Sequence, residues 1–398
     1  MTASTKPAAG VHLFYLEDAG ILFSESTQEL HLLNTTAAVI WSLLEEGHDA
    51  AGATAALQEM YEVDEERAAQ FVAAALNEWT QKRLVGGPFP AAEPASATPA
   101  KVQPDAHVAW HEFAPAEQRH YRLLSSRFCL RFSSPAQVRL VHPIIEHLEA
   151  APSSEEIVVD VVAAAQRIVV YRDRVFFADC AGIDALAPVV KSLVWQTAVR
   201  DHRFFLDIHA GVIGNRASCI LLPAAPGSGK STLTASLVHA GLEYYSDEVA
   251  LLEEGNLHVY PVPLAICIKA PGVEALVDRF PDLRRLPVHK RGDGKDVVYL
   301  PPPRESLPST NEPQPVAAVV FPRYAAGASV SLASLTKLDA LKQLMDECLV
   351  VTPPLDAAKV RALVRWIART PCYSLAYGSS SEAVDAVRSV FAACSSAG

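Results

Sequence analysis

The chain has 398 residues, enough for two or three domains of ordinary size. Half of its residues are hydrophobic and 20% are charged, which excludes a globally disordered protein and allows large cores. The formal net charge of −11 argues against general nucleic-acid binding, because affinity for the phosphate backbone requires clustered lysine and arginine.

The sequence predicts a cytoplasmic protein that does not enter a membrane. Its N-terminus lacks the apolar core of a signal peptide, and no uncharged apolar run reaches the ~20 residues of a membrane span. The seven cysteines are scattered without a C-x-x-C pair, so metal-ligand spacing is absent and the odd number suits a reducing compartment. The sequence leaves open whether copies of the chain form a homo-oligomer.

Residues 1–85 predict a small, winged-helix-like α+β domain of three strands followed by three helices. The strands are expected at 12–16, 21–23 and 29–33, with a hairpin turn at Asp18–Gly20. Each helix follows a side chain that favours the N-cap position: Asn34, Asp49 and Asp64. The third helix has apolar residues in the spacing of a buried stripe.

One run in this domain is distinctive: Leu32-Leu33-Asn34-Thr35-Thr36-Ala37, leading into Ile40-Trp41. With Gly47 and Tyr61-Glu-Val63, it resembles the PqqD-like peptide-recognition domains that serve enzymes modifying ribosomally made peptides. In that family a leader peptide adds as a strand beside the third strand, over the third helix. The resemblance implies a docking surface that includes Leu30, His31, Leu32, Phe71, Ala75 and Trp79. The alternative interpretation places Phe71, Leu76 and Trp79 in the core.

The rest of the chain divides into three parts by composition. Residues 86–105 are rich in proline and alanine and predict a semi-extended linker. Residues 106–200 mix strands with a helix over Asp184–Val199 and are expected to form an N-terminal lobe. Residues 201–394 alternate strands and helices and predict an α/β P-loop domain.

The most informative stretch is 224–231, Ala-Ala-Pro-Gly-Ser-Gly-Lys-Ser, between an apolar strand and a helix. Glycines let backbone N–H groups surround phosphate oxygens, the helix N-terminus favours negative charge, and a lysine and a serine can hold outer phosphates and Mg²⁺. ATP and Mg²⁺ are therefore the predicted cofactors, although Ala224 stands where the usual pattern has glycine. The predicted nucleotide contacts are Ala225, Pro226, Gly227, Ser228, Gly229, Lys230, Ser231 and Thr232.

Three further features stand in register with this loop. His209 lies 22 positions before Ser231, Gly241 ends the loop helix, and Ser246-Asp247-Glu248 follows another short strand. With this spacing, residues ~106–390 resemble the HPr kinase family of P-loop protein-serine kinases, in its HPr-kinase-related branch. The resemblance implies an α/β HPr kinase-like fold, with catalytic residues His209, Lys230, Asp247 and Glu248 and metal ligands Ser231 and Asp247.

Several roles stay open at this point. Glu248 matches the family's catalytic aspartate by position, but either acidic residue could be the base, and His209 is either catalytic or structural. The family's downstream acidic metal ligand has no clear counterpart, and Lys269 near that place either replaces metal charge or is solvated. Arg291–Lys295 is a basic loop that either closes over phosphate, through Arg291 and Lys295, or is an exposed turn.

Together these features predict a Mg²⁺–ATP-dependent kinase that phosphorylates a hydroxyl side chain, with serine expected, of a precursor peptide. The N-terminal domain would bind the leader segment of that peptide. Two alternatives remain: a kinase for a small molecule or a folded protein, with a regulatory N-terminal domain, and an ATP-binding peptide chaperone. The missing acidic ligand favours the chaperone, whereas the retained lysine, serine and two acidic residues favour the kinase.

Overall fold

The protein is described here by a computed structural model covering residues 5–86, 113–164, 167–202, 204–347, 349–350 and 354–396. The chain divides into two compact units. The first comprises residues 1–102 with 336–342 and 351–369, and the second comprises 103–335, 343–350 and 370–398. All of the predicted linker 86–105 except Gly86 lies outside the described residues.

The first unit begins with three strands followed by three helices, which confirms the α+β prediction. The elements are β1 (Val11–Leu16), β2 (Ala19–Ser24), β3 (Glu29–Leu33), α1 (Thr35–Glu45), α2 (Ala50–Tyr61) and α3 (Glu65–Gln81). The sheet is antiparallel in the order β1-β2-β3. Asn34, Asp49 and Asp64 cap the helices as predicted, each accepting a backbone N–H hydrogen bond at 2.8 Å.

The first hairpin turns one residue earlier than predicted. Leu16 pairs with Ala19, so the turn residues are Glu17 and Asp18, and Glu17 adopts a positive φ of 54°. Gly20 lies inside β2, where a Cβ atom would stand 2.8 Å from the Cβ of Ala38. The close approach of α1 to the sheet, not the turn, therefore requires glycine at this position.

The second unit contains a five-stranded sheet in the order β4-β5-β6-β7-β8. Helices α4 and α5 share a core with it, built around fully buried aromatic side chains such as Phe128 and Phe132. Strand β4 and helix α4 were not predicted. The elements are β4 (Glu117–Leu123), β5 (Ser126–Phe132), α4 (Pro135–Ile145), β6 (Ile157–Ala164), β7 (Arg167–Arg172), β8 (Val175–Cys180) and α5 (Leu186–Asp201).

The remaining chain forms three further sheets and confirms a larger α/β region with mixed sheets. Its elements are β9 (Leu206–Ile208), β10 (Ala210–Gly214), β11 (Cys219–Pro223), α6 (Lys230–His239), β12 (Glu243–Ser246), β13 (Ala250–Leu252), β14 (Val259–Tyr260), β15 (Ile266–Lys269), α7 (Ala270–Leu276), β16 (Val288–Lys290), β17 (Asp296–Leu300), β18 (Val316–Tyr324), β19 (Ser331–Ser334), α8 (Lys337–Glu347), β20 (Leu349–Val350), α9 (Ala357–Arg369), β21 (Cys372–Tyr377) and α10 (Ser380–Ser396).

The largest of these sheets has the order β12-β10-β11-β18-β21-β19. Its strands β11, β18 and β21 run parallel, so their carboxyl ends meet at one edge. Two smaller sheets have the orders β14-β13-β9-β20 and β15-β17-β16. The edge where the three parallel strands end is where α/β folds usually place ligands, and it is where the predicted phosphate loop begins.

Helix α9 belongs to the first unit although it is encoded between elements of the second. It packs beside β1, and the Arg361 guanidinium stands 5.9 Å from the centre of the Phe14 ring. Gln28 donates to the carbonyl of Leu355 at 3.0 Å and accepts from its N–H at 2.7 Å. The small unit is therefore built from two distant parts of the sequence.

Within the described residues, no helix is both long enough and apolar enough to cross a lipid bilayer.

Candidate functional site

The glycine-rich loop, residues 224–229, joins the fully buried strand β11 to α6. Gly227 and Gly229 both have positive φ, at 98° and 90°. A Cβ at Gly229 would meet the Tyr377 hydroxyl at 2.7 Å and the Tyr324 Cβ at 2.8 Å, whereas a Cβ at Gly227 would meet open space. Gly229 is therefore required by backbone angle and by packing, and Gly227 by backbone angle alone.

Two tyrosines from neighbouring strand ends hold the loop. The Tyr377 hydroxyl donates to the carbonyl of Gly229 at 3.2 Å, and the backbone N–H of Tyr324 donates to the carbonyl of Ser228 at 2.9 Å. The two rings pack edge to face, with centres 5.7 Å apart. The sequence around Tyr324 and Tyr377 carries no local pattern that predicts their contact with the loop.

Lys230, His209 and the backbone of Glu248 form a continuous hydrogen-bonded chain. The Lys230 ammonium donates to Nε2 of His209 at 2.8 Å, and Nδ1 of His209 lies 3.0 Å from the carbonyl of Glu248. Because a carbonyl only accepts and an ammonium only donates, His209 must be neutral with its proton on Nδ1. Burial, and then the charge of Lys230, lower the pKa of His209, which agrees with this assignment.

Asp247 lies at the end of β12 beside Ser231 of α6 and is only 4% exposed. Burial raises the pKa of Asp247 to about 6, against the opposing effects of Lys230 and of a hydrogen bond with Ser231. Its Oδ1 is buried and has no hydrogen-bond partner among the described residues, and the same holds for the Ser228 hydroxyl. Buried polar atoms without partners are costly, so both atoms favour a ligand at this place.

Lys191 of α5 also lies in the site, although it was not among the predicted site residues. Its ammonium lies 2.6 Å from Oε1 of Glu248 and 5.1 Å from the centre of the Tyr299 ring. The Lys191 side chain is only 4% exposed, and its charge lowers the pKa of Glu248 to about 2. The available signal was a lysine within the otherwise apolar buried face of α5, with Ala187 and Val194 on the same face.

The three weaker candidates differ in how they interact with the site. The charge of Lys269 lowers the pKa of His209, and that of Arg291 lowers the pKa of Glu248, so both act electrostatically on the site. Lys295 instead pairs with Asp293 at 3.1 Å and is 58% exposed. Residues 291–295 form an exposed hydrogen-bonded turn between β16 and β17, which is the second of the two alternatives that the sequence left open.

The site therefore brings together His209, Lys230, Ser231, Asp247 and Glu248, as the sequence predicted, and adds Lys191. These residues fit a Mg²⁺-bound nucleotide: the N-terminus of α6 and Lys230 favour phosphate, and Ser231 with Asp247 offers the hard oxygen ligands that Mg²⁺ prefers. The space beside Gly227 is open, since a Cβ atom built there would meet no heavy atom within 4 Å, so a phosphate could approach the backbone of the loop at this point. Ala225, Pro226 and Thr232 lie on the same loop and first helical turn and are partly or fully exposed.

The small unit offers a second candidate surface. Strand β3 is an edge of its sheet and pairs only with β2 among the described strands. Leu32 on this strand is 40% exposed and Phe71 on α3 is 41% exposed. His31 is mostly buried near the end of α3, where burial and the charge of Lys82 lower its pKa. Edge strands of this kind present unpaired backbone groups to an incoming strand.

The six predicted docking residues do not all reach the surface. Leu30, His31, Leu32 and Phe71 are at least partly accessible, whereas Ala75 is 9% and Trp79 1% exposed. Trp79 packs edge to face on Trp41 with ring centres 5.1 Å apart, inside the core of the small unit. Assigning Trp79 to the docking surface was therefore wrong, because the helix turns its largest side chain inward.

Comparison with known proteins finds a family match within the small unit. Residues 19–85 match the family model of coenzyme PQQ synthesis protein D (PqqD). The chain thus carries a PqqD domain. No curated protein matches the chain. Among solved structures, "TbiB1 in Complex with the TbiA(beta) Leader Peptide" is 26% identical, with a TM-score of 0.20, over 20% of this chain and 93% of that one.

Proposed function

We propose that the protein is a Mg²⁺–ATP-dependent kinase that phosphorylates a hydroxyl side chain of a ribosomally made precursor peptide. The PqqD domain supports recognition of such a peptide, since domains of this family bind precursor leader segments. The observation that carries the kinase half is the buried pair of atoms without partners, Asp247 Oδ1 and Ser228 Oγ, beside Lys230. Serine is the proposed acceptor.

In this proposal each residue has one task. Lys230 and the N–H groups at the start of α6 stabilise negative charge on the transferred phosphoryl group. Ser231 and Asp247 hold Mg²⁺, which screens charge on the phosphates when bound. His209 receives a hydrogen bond from the Lys230 ammonium and so fixes where that charge lies.

Glu248 accepts the hydrogen bond of the acceptor hydroxyl and aligns it. Lys191 keeps the Glu248 carboxylate in place, at 2.6 Å, so the carboxylate needs no rearrangement when the acceptor arrives. Phosphoryl transfer has a loose transition state, so its rate depends mainly on the positioning of the acceptor and on charge. Glu248 and Lys191 would contribute the positioning.

The PqqD domain supplies peptide affinity separately from the chemistry. A leader strand added at the β3 edge would gain backbone hydrogen bonds, and neighbouring side chains such as Leu32 and Phe71 would add selectivity. Holding the leader raises the local concentration of the acceptor segment, so the kinase site can bind that segment weakly.

The test uses the full chain, γ-labelled Mg²⁺–ATP, and a candidate precursor peptide chosen by searching the neighbouring genes for a short open reading frame, with and without its leader. We expect label on the peptide, and a strongly raised KM with nearly unchanged kcat for the leaderless form, because leader contacts are uniform binding. Lys230→Ala measures the background.

Two results would contradict this function. Peptide and ATP binding without transfer would identify a chaperone. Equal efficiency on both peptide forms would favour a kinase for another acceptor, with the PqqD domain in a regulatory role.

A further inference from the structure

A second cluster of reactive side chains lies in the β4–β8 sheet and takes no part in the proposed kinase chemistry. His120 on β4 and Cys129 on β5 are directly paired across the two strands, and Glu156 immediately precedes β6. One donor atom from each residue lies within 4.8 Å of the other two. The three positions are 9 and 27 residues apart, so no sequence motif connects them.

The cluster is on the face of the sheet that does not form the main core. Phe128 and Leu130 are fully buried in that core, and the alternation of a strand turns Cys129 to the opposite face. The side chains are nevertheless shielded: His120 is 16% and Glu156 9% exposed, and Cys129 is 8% exposed. A site at this depth is partly dry but still reachable from solvent.

Existing contacts already orient two of the three ligands. Nδ1 of His120 lies 3.0 and 2.9 Å from the two carboxylate oxygens of Glu156, and the backbone N–H of Ser153 donates to Oε1 of Glu156 at 3.2 Å. The Ser153 hydrogen bond holds the Glu156 carboxylate as outer partners commonly hold metal ligands, whereas a bound ion would replace the direct contact between His120 Nδ1 and Glu156.

We propose that His120, Cys129 and Glu156 bind Zn²⁺, with solvent as the fourth ligand. One nitrogen, one sulfur and one carboxylate oxygen suit the borderline-soft Zn²⁺ and exclude Mg²⁺, which requires oxygen ligands. On binding, the Cys129 thiol releases its proton to solvent, and the Nδ1 proton that His120 donates to Glu156 moves through solvent to Nε2, which leaves Nδ1 able to coordinate. The ion would fasten the β4–β5 hairpin to the segment that enters β6.

The test titrates the untagged, chelator-treated full chain with Co²⁺ and then competes with Zn²⁺. Coordination by Cys129 gives a thiolate-to-cobalt charge-transfer band in the near ultraviolet, one equivalent per chain, which Zn²⁺ abolishes. The band distinguishes this site from the glycine-rich loop, whose proposed metal ligands are all oxygen. Zn²⁺ should also raise the thermal midpoint, since a ligand that binds only the folded state stabilises it.

Cysteine-to-serine variants identify the thiol. Cys129→Ser should lose the band and the Zn²⁺-dependent rise in midpoint. Cys267→Ser, which changes a thiol 3.8 Å from the Arg291 guanidinium near the kinase site, and Cys180→Ser, in the same sheet, should retain both. His120→Ala and the nearly isosteric Glu156→Gln should each weaken Co²⁺ binding at least tenfold, and circular dichroism checks that each variant is folded.

Two outcomes would overturn the proposal: no thiolate band in the unmodified chain, or a band that survives in Cys129→Ser and is lost in Cys267→Ser. In either case His120 and Glu156 form only a hydrogen-bonded pair. Because the readout is spectroscopic, neither outcome bears on whether the chain is a kinase.

Discussion

The PqqD domain and the glycine-rich loop region offer two opposite kinds of candidate binding surface. The PqqD domain offers an edge strand and a few exposed apolar side chains, Leu32 and Phe71 among them, with charges at the margin. In the loop region the side chains of Lys191, Lys230 and Asp247 are almost completely buried. Backbone pairing tolerates sequence variation in a ligand, whereas buried charges demand fixed geometry. The proposed function accordingly assigns affinity for the peptide to the first region and chemistry to the second.

The largest expected effect separates the two acidic residues of the loop region. Glu248→Gln should leave Mg²⁺-dependent nucleotide binding intact and slow transfer by on the order of 10²–10³, because only the group that aligns the acceptor is lost. Asp247→Asn should instead weaken Mg²⁺-dependent nucleotide binding. Calorimetry of nucleotide binding and labelled transfer assays measure the two effects, and reversed phenotypes would shift the assigned roles by one residue. Peptide binding should not change in either variant.

The next prediction concerns the stability of the buried pair. Lys191→Met should destabilise the second unit by about 3 kcal/mol, because it leaves the Glu248 carboxylate partly buried without its partner. The double variant Lys191→Met/Glu248→Gln should recover much of that loss. Thermal unfolding followed by circular dichroism measures both. If the double variant is no more stable than Lys191→Met, then the lysine stabilises the fold through Tyr299 instead of through Glu248.

A matched pair of glycine variants sharpens the geometry of the loop. Alanine at either Gly227 or Gly229 costs about 1–2 kcal/mol for the positive φ. At Gly229 the clash with Tyr377 and Tyr324 adds about 1–3 kcal/mol more. We therefore expect Gly229→Ala to weaken nucleotide binding by roughly tenfold more than Gly227→Ala. Equal effects would mean that the two tyrosines move aside at little cost.

The smallest effect is expected on the PqqD surface. Leu32→Ser and Phe71→Ser should each weaken binding of the precursor peptide by about 1 kcal/mol, roughly fivefold, without changing the rate of transfer at saturating peptide. Met60→Ser, at a residue of α2 that is 62% exposed, is the matched control and should change nothing. Fluorescence anisotropy of a labelled leader peptide measures all three. Equal losses in the control would place the docking surface elsewhere on the domain.

How far the sequence could predict each region depends on the range of its contacts. In the PqqD domain the side chain that caps each helix accepts a hydrogen bond from the backbone N–H three residues later. Such short-range patterns are visible in the sequence, and all three caps were predicted correctly. The glycine-rich loop was equally local. Lys191 and Tyr377 act on partners 57 and 148 residues away, and no spacing rule connects them. Gly20 was assigned to the hairpin turn, but it lies in β2 against α1. A tight turn and a close contact with a helix both favour glycine, so the residue type alone does not distinguish them.

Helix α9 has a consequence for how the protein is made. The PqqD domain leaves the ribosome first, but the helix that packs beside β1 ends at Arg369, some 280 residues after the domain itself. At 5–20 residues per second, the ribosome takes roughly 15 to 60 seconds to deliver it. During that interval Phe14 and the β1 side of the sheet lack the cover that α9 provides. Synthesis of this chain therefore includes a period in which the domain lacks one helix of the unit it later forms.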